Sequence, residues 1–343
     1  GGLDLVEQKK GTYAGPDIPF GTHYDGPADG RYLGSGFAYL YGVSRVREPA
    51  PGWWADWSLV DTWKTQVGEA PVRLRYHGLS PAGEAALAWG DPPQNKPGNP
   101  RRLRYLLQRN QGDDCRSLFV SVIEPYSGDA PNLGNVTLLD LGLDDGDLTA
   151  AAVRVVTAGG RTDLALSSTD PDQVFSLGDG VTAAGRFVWV SLENGRVASV
   201  FLLGGRQVET PEGILYVATK EYTGVVLDFH RQEVGPAWID IQGDLPEGDG
   251  LKGTQFRVQN DGVRDACYVV QQVSARTDGV LRVEVGDTSF IRGLASEEDY
   301  GQGYVYDFGP GDRVDVQTVV HLRRGPRGLE TVLSTTESRW REA

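Results

Sequence analysis

The sequence predicts an all-β protein, with a large multi-sheet antiparallel β-sandwich over residues 1–231 and a smaller C-terminal β-sandwich over residues 232–343. Two observations predict this class. The 343-residue chain contains 46 glycines and 19 prolines, and its apolar runs are only four to eight residues long. This composition is typical of short strands joined by tight turns. No amphipathic pattern extends beyond about two helical turns.

The N-terminal part of the chain carries strand-like runs between loops that are rich in glycine and aromatic residues. The runs cover residues 3–7, 37–46, 57–65, 72–77 and 85–89. A proline-rich segment at residues 91–100 follows, and it cannot pair in a sheet because proline lacks the backbone N–H. Four of the eight tryptophans lie between Trp53 and Trp63. So many large rings near one end indicate a surface that a partner covers.

The next two strand-like runs, residues 103–108 and 118–123, flank a polar turn. The turn signal is the sequence Asn-Gln-Gly-Asp-Asp at residues 110–114. The second run is rich in residues that favour strands, and it is followed by Glu124 and Pro125. We therefore expect the two runs to pair as a hairpin, and we expect proline to end the second strand.

Strand-like runs then continue at a regular spacing to residue 230. They cover residues 136–141, 150–157, 162–167, 181–192, 197–203, 214–219 and 224–230. Asn194-Gly195 lies between two of these runs, and Asn-Gly predicts a hairpin because both turn residues adopt positive φ. A polar turn at residues 244–250 precedes the runs of the smaller sandwich, at residues 253–259, 266–274, 280–285, 303–308 and 313–323.

The net charge of −14 argues against nucleic acid as a partner, since phosphate binding needs a basic face. It still allows an acidic polysaccharide, because a local arginine cluster can attract one while distant charges are screened. No apolar, charge-free run is long enough for a transmembrane helix. The chain opens without a signal-peptide pattern and contains no Met, so we expect a processed product or a fragment.

The two cysteines leave two alternatives open. Cys115 and Cys267 could form one long-range disulfide in an exported protein, or they could be two buried free thiols. No CxxC or Cys/His cluster indicates zinc. The acidic segment 140–147 offers oxygen donors for Ca²⁺ but does not match an EF-hand loop, and a solvated turn is the alternative. We expect neither a metal nor a cofactor.

Several short motifs resemble those of heparinase II/III-like polysaccharide lyases. They are RYLLQR at 104–109, LFVSVIEPY at 118–126, LRYHGL at 74–79, GRF at 185–187, YTG at 222–224 and LKGTQFRVQNDG at 251–262. The resemblance implies a helical toroid followed by an antiparallel β-sandwich, in a protein that cleaves a uronic-acid-containing polysaccharide by β-elimination. That chemistry needs neutralisation of the C5 carboxylate, a base for the C5 proton and an acid for the leaving oxygen.

In lyases of this kind the toroid supplies most of these groups, and this chain resembles the part that follows the toroid. The resemblance therefore implies that catalysis needs a separate or removed helical domain. The alternative is a non-catalytic carbohydrate-binding or structural subunit of an extracellular assembly. The expected partners are an acidic polysaccharide and the N-terminal helical toroid, as a domain or a separate chain, with a homo-oligomer as a further candidate. The expected location is extracellular or periplasmic.

His23 and Tyr24 are the candidate catalytic residues, because they form the only His-Tyr pair in the chain and lie in a glycine-rich segment. Imidazole and phenol suit proton transfer because their pKa values can be tuned by their surroundings. We expect this segment to line a cleft against the toroid. The alternative is an ordinary aromatic turn.

Two groups of residues are candidates for substrate binding. Trp53, Trp54 and Trp57 could stack on sugar rings, or they could pack in a core or an interface. In the second group arginine and histidine alternate along one predicted strand and therefore share a sheet face. This group is Arg73, Arg75 and His77. Guanidinium groups could bind a carboxylate or sulfate there, or they could pair with the abundant Asp and Glu. His230 and His321 are interpreted as structural.

Overall fold

The computed structural model describes residues 1–21, 36–60, 71–92, 97–231, 236–260 and 265–343. The fold is all-β and built from antiparallel sheets, which confirms the predicted class. Within the described residues, helical structure is limited to 3₁₀ turns at Phe37–Tyr39, Thr277–Gly279 and Tyr300–Gln302, and none of it could span a membrane. The chain divides into two compact units, residues 1–162 and residues 163–343.

Unit 1 contains strands β1 to β9. Their bounds are β1 Val6–Glu7, β2 Leu40–Arg47, β3 Trp53–Ser58, β4 Val72–Gly78, β5 Glu84–Gly90, β6 Leu103–Arg109, β7 Ser121–Ser127, β8 Leu133–Leu138 and β9 Ala150–Thr157. One sheet has four strands in the order β1-β2-β5-β6, a second has three in the order β3-β4-β7, and β8 pairs with β9.

Apolar side chains between the first two sheets form one core of unit 1. Trp53 and Ala55 of β3 are buried against Ala85 of β5, with Tyr76 and Leu106 packed around them. The four-stranded sheet is also covered on its other face, where the buried Tyr13 packs against Leu40, Val43, Ala86 and Ala88. Alanines along β5 let both neighbouring layers approach the middle of the sheet closely.

Strands β6 and β7 do not form the expected hairpin. β6 pairs with β5 in the four-stranded sheet, whereas β7 pairs with β4 in the three-stranded sheet. Residues 110–120 therefore connect the two sheets of a sandwich. β7 also continues through Pro125 to Ser127, beyond the predicted end, because it is an edge strand where a missing N–H breaks no ladder.

Unit 2 contains the remaining strands. They are β10 Thr162–Ser168, which begins at the boundary, β11 Phe175–Gly178, β12 Val181–Glu193, β13 Arg196–Thr210, β14 Gly213–Val217, β15 Glu221–Phe229, β16 Ala237–Gly243, β17 Gln255–Gln259, β18 Ala266–Val269, β19 Gln272–Ala275, β20 Leu281–Gly286, β21 Ile291–Leu294, β22 Tyr304–Tyr306, β23 Arg313–Gln317, β24 Val319–Gly325, β25 Gly328–Ser334 and β26 Ser338–Glu342.

Two sheets organise unit 2. The first runs β25-β24-β13-β12-β10, with β11 beside β12 and β14 between β13 and β26, and the second runs β18-β17-β23-β15-β16-β20-β19. Ile239, Phe256, Val283 and Val316 are among the fully buried residues under the second sheet. β21 and β22 form a separate pair. β12 and β13 close as the hairpin predicted from Asn194-Gly195, as both residues have positive φ (52° and 74°).

The division into units differs from the predicted boundary at residue 231. That point lies inside unit 2, between β15 and β16, which are hydrogen-bonded neighbours with Phe229 opposite Ile239. The C-terminal strand β24 also returns to β13, where His321 lies opposite Phe201. Local run spacing does not reveal such long-range pairings.

The two cysteines, Cys115 and Cys267, are free and exposed. Neither of the two predicted alternatives, a disulfide or buried thiols, describes them.

Candidate functional site

Alternation along β3 and β4 separates the predicted binding residues onto two faces of the three-stranded sheet. Trp53 lies opposite Gly78, and Trp57 lies opposite Leu74, on the face that meets the other sheet. Trp54 lies opposite His77 on the outer face. The outer face also carries Arg73 and Arg75, which confirms that the two arginines and His77 share one side of the strand.

Trp53 is a core residue rather than a surface for sugar stacking. Its side chain is only 3% exposed, and its ring packs at a tilt against Tyr76 with centroids 5.3 Å apart. Gly78 provides the space for the ring, since a Cβ there would lie 2.2 Å from it. A ring enclosed in this way cannot contact a glycan, so sugar binding by Trp53 is excluded in this structure.

Arg75 is held by partners within its own sheet. Its Nη2 donates to Oδ2 of Asp56 at 2.7 Å, and the hydroxyl of Tyr126 donates to the same oxygen at 2.8 Å. Burial alone would raise the pKa of Asp56, but the hydrogen bonds from Arg75 and Tyr126 outweigh it and lower that pKa. The Arg75 guanidinium also lies 4.2 Å from the ring centre of Trp54. This guanidinium is therefore neutralised and stacked rather than presented to a ligand.

His77 is paired with a buried carboxylate. Its Nε2 lies 3.0 Å from Oε2 of Glu124, which is 4% exposed. The other oxygen of Glu124 accepts from the backbone N–H groups of Asn132 (2.5 Å) and Leu133 (2.8 Å). Glu124 thus links β4 to the start of β8. The pair acts as a structural connection. The alternative of ion pairing with acidic residues describes Arg75 with Asp56, and His77 contacts Glu124 by a hydrogen bond.

The remaining predicted residues have different positions. Arg73 is partly buried, and its Nε has no hydrogen-bond partner among the described residues. The catalytic candidates His23 and Tyr24 lie outside the described residues.

A cleft opens between the two sheets of unit 1, where the inner faces of β3 and β4 separate from β5 and β6. It has a volume of about 700 Å³. Its walls combine three aromatic rings, two arginines and several exposed aliphatic side chains. The lining includes Trp57, Leu59, Val60, Leu74, Tyr76, Trp89, Arg102, Leu103, Arg104, Leu106, Gln108 and Ile123. Of the predicted binding residues, only Trp57 lies here.

Two guanidinium groups stack on one tryptophan in this cleft. Arg102 and Arg104 lie 4.2 Å and 4.6 Å from the ring centre of Trp89. Burial, followed by the positive charge of Arg102, lowers the pKa of Arg104 below its ordinary value. No carboxylate in the described part of the chain forms an ion pair with either arginine. The cleft therefore concentrates positive charge beside an aromatic surface.

The aromatic and cationic groups give the cleft a definite chemistry. Flat rings accept the C–H face of a sugar, and paired guanidinium groups donate to carboxylate or sulfate oxygens. Tyr76 is fixed among them by its hydrogen bond to Oε1 of Gln108 (2.6 Å). Trp89, Arg102 and Arg104 were not among the residues predicted from the sequence. The alternation of Arg104 with Leu106 and Gln108 was visible in the sequence, but the position of Arg104 opposite Trp89 follows only from the register of β5 and β6.

The other candidates are engaged in local contacts. Among the described residues, no group of three or more His, Cys, Asp or Glu side chains could hold a metal ion. In the acidic segment, Asp140 accepts from the N–H of Gly142 and Asp147 from Thr149, as in ordinary turns. His321 lies 3.0 Å from the hydroxyl of Ser199, and His230 lies beside Trp238.

Comparisons with protein-family models, with curated proteins and with solved structures each find no significant match to this chain.

Proposed function

We propose that unit 1 binds an acidic polysaccharide in the cleft between its sheets, as the sandwich portion of a polysaccharide lyase that acts on a uronic-acid-containing chain. The observation that carries this proposal is the stacking of Arg102 and Arg104 on Trp89, with no ion-pairing carboxylate among the described residues. The lyase part of the proposal rests on the motif resemblance.

The physical basis is the match between the cleft and a uronate residue. A uronate has an apolar C–H face and one carboxylate, and the cleft offers the ring of Trp57 together with two guanidinium groups that are held on Trp89. Burial strengthens the attraction, because charges interact more strongly where water is excluded. The negative charge of the whole chain is distributed elsewhere and screened beyond about 10 Å.

A second function, non-catalytic carbohydrate binding, is favoured by the composition of the cleft wall. Its lining contains one tyrosine and no histidine among the described residues. His77 projects from the outer face and is held by Glu124. β-Elimination in this cleft would therefore need its proton-transfer groups from His23 and Tyr24, or from a helical domain.

Binding can be tested by calorimetric titration with uronate oligosaccharides and with neutral oligosaccharides of equal length. We expect the acidic ligand to bind, and the affinity to fall about tenfold in Trp89→Ala and in Arg104→Ala. Arg101→Ala is the matched control, because it removes the same charge from the exposed residue that precedes Arg102. Equal losses in all three variants, or equal binding of neutral ligands, would contradict the proposal.

Catalysis can be separated from binding by following the ultraviolet absorbance of the C4–C5 double bond that β-elimination creates. If the chain is the sandwich portion of a lyase, it binds the uronate polymer alone and cleaves it only with a helical domain present. If it is a binding subunit, adding a helical domain does not produce the absorbance of the double bond.

A further inference from the structure

Unit 2 carries a second cavity that the proposed function does not use. It begins on one face of the sheet formed by β12, β13, β24 and β25. Alternate residues of these strands, such as Val190, Val200 and Val320, are buried on the other face. The open face carries side chains that lie opposite one another across the strands. They are Phe187, Leu203 and Val319 in one row, and Trp189, Phe201 and His321 in the next.

Rings on this open face contact one another edge to face. The centroid of Phe201 lies 6.1 Å from that of Phe187 and 6.0 Å from that of His321. Phe187 remains 38% exposed, and Leu333, opposite His321 on β25, remains 45% exposed. The face therefore presents apolar surface to solvent, and its rings are held in fixed orientations.

The cavity lies at one end of this face and has a volume of about 750 Å³. Its apolar side is formed by Phe201, Leu203, Val319 and Leu333. Its polar side comes from the second sheet of unit 2 and from the turn before β17. That side consists of Lys252, Thr254, Gln255, Arg257, Cys267, Asp315 and Gln317, with Arg186 at the margin. Ligand cavities in proteins commonly have this size and this division between apolar and polar walls.

Cations outnumber carboxylates among the residues that line the cavity. Asp315 is 4% exposed and accepts hydrogen bonds from Arg257 (2.8 Å) and Gln317 (3.1 Å), and Arg257 also lies 3.4 Å from Asp265. Arg186 donates to the carbonyl oxygen of Thr169. The hydrogen bond from Lys220 lowers the pKa of Asp172, and the charge of Arg186 helps to lower it. Lys252 forms no ion pair with a described residue, so it is the lining cation whose charge no described carboxylate balances.

We propose that this cavity of unit 2 binds a small amphipathic organic anion, a planar ring system that carries one carboxylate or sulfonate group. The ring system lies on Phe201 and Leu333, and the anionic group faces Lys252. Charge complementarity selects an anion, and the apolar wall selects a ring over a fully hydrated ion.

The probe for this site is 8-anilinonaphthalene-1-sulfonate, an aromatic sulfonate whose fluorescence rises in an apolar site. We expect saturable binding, measured by fluorescence and calorimetric titration and assigned to this cavity by the variants that follow. Leu333→Asp and Lys252→Glu should each weaken it about tenfold, since the first puts a charge on the apolar wall and the second reverses the charge that faces the sulfonate. Val332→Asp is the matched control, because Val332 is 58% exposed and adjacent but does not line the cavity.

The uncharged N-phenyl-1-naphthylamine separates the apolar from the electrostatic contribution. Its binding should fall in Leu333→Asp and stay unchanged in Lys252→Glu. Lys252 is exposed in a turn, so its variant keeps the test valid even where Leu333→Asp lowers the thermal unfolding midpoint. Three results would overturn the proposal: absence of saturable binding, an equal loss of affinity in Val332→Asp, or an affinity for the sulfonate that is unchanged in Lys252→Glu.

Discussion

Replacing Trp53 by alanine should destabilise unit 1 far more than replacing its neighbour Trp54. Trp53 is 3% exposed and fills the space above Gly78, so its removal leaves a cavity in the core. Substitutions of this kind cost about 3–5 kcal/mol. Trp54 is half-buried on the outer face, where the guanidinium of Arg75 lies 4.2 Å from the centre of its ring. Loss of such a contact costs about 0.5–1 kcal/mol.

Urea unfolding followed by far-ultraviolet circular dichroism measures the difference, since tryptophan fluorescence would change with the mutation itself. Hydrogen exchange of peptides from β3 to β6 assigns the loss to unit 1. Trp53→Phe is the control, and it should cost about 1–2 kcal/mol because most of the ring volume stays and the indole N–H has no hydrogen-bond partner within the described ranges. Equal losses of stability in Trp54→Ala and Trp53→Ala, or an unchanged urea midpoint in Trp53→Ala, would contradict a core position for Trp53.

Two further predictions concern Tyr13 and the turn of the β12–β13 hairpin. Burial, followed by the charge of Glu84, raises the pKa of Tyr13 from 10.0 to about 12, so its neutral form adds stability that is complete below pH 10.0 and lost as the pH rises through 12. Tyr13→Phe should abolish this loss of stability at high pH. It should also remove, from the ultraviolet titration, one phenol that ionises at a higher pH than an ordinary tyrosine, and an unchanged titration would contradict the assignment. Asn194 has φ of 52°, so Asn194→Ala should destabilise unit 2 by about 1 kcal/mol whereas Asn194→Gly should be nearly neutral. The urea midpoints test this, and equal midpoints for the two variants would count against it.

Features that depend on neighbouring residues could be predicted from the sequence. Asn194-Gly195 specifies its turn through the φ angles of two residues, and the two strands that pair lie directly before and after that turn. The alternation of Arg73, Arg75 and His77 likewise fixes their common face through the strand period alone. Both are local consequences of backbone geometry.

Features that depend on distant pairing could not be predicted. Residues 110–114 resemble a hairpin turn, but β6 pairs with β5 in one sheet and β7 pairs with β4 in another. The same limit applies to the tryptophans. Trp53 and Trp57 share a face, yet one lies in the core and the other at the cleft, because their positions relative to the end of the opposing sheet differ. Only the register of β5 and β6 brings Arg104 to Trp89.

The passage of the chain from β6 to β7 between two sheets makes the folding of unit 1 depend on long-range strand pairing, whereas unit 2 contains a local hairpin. In unit 1, β4 must find β7 across the intervening β5 and β6, as in the pairing of Arg75 with Glu124. Closing such long loops costs entropy before any contact repays it, so the β4–β7 ladder forms late. In unit 2, β12 and β13 are joined by a two-residue turn and can form within microseconds of collapse. During synthesis unit 1 leaves the ribosome before unit 2. The slow pairing of the edge strand β7, which contains Pro125, therefore begins before the fast-forming β12–β13 hairpin has been synthesised.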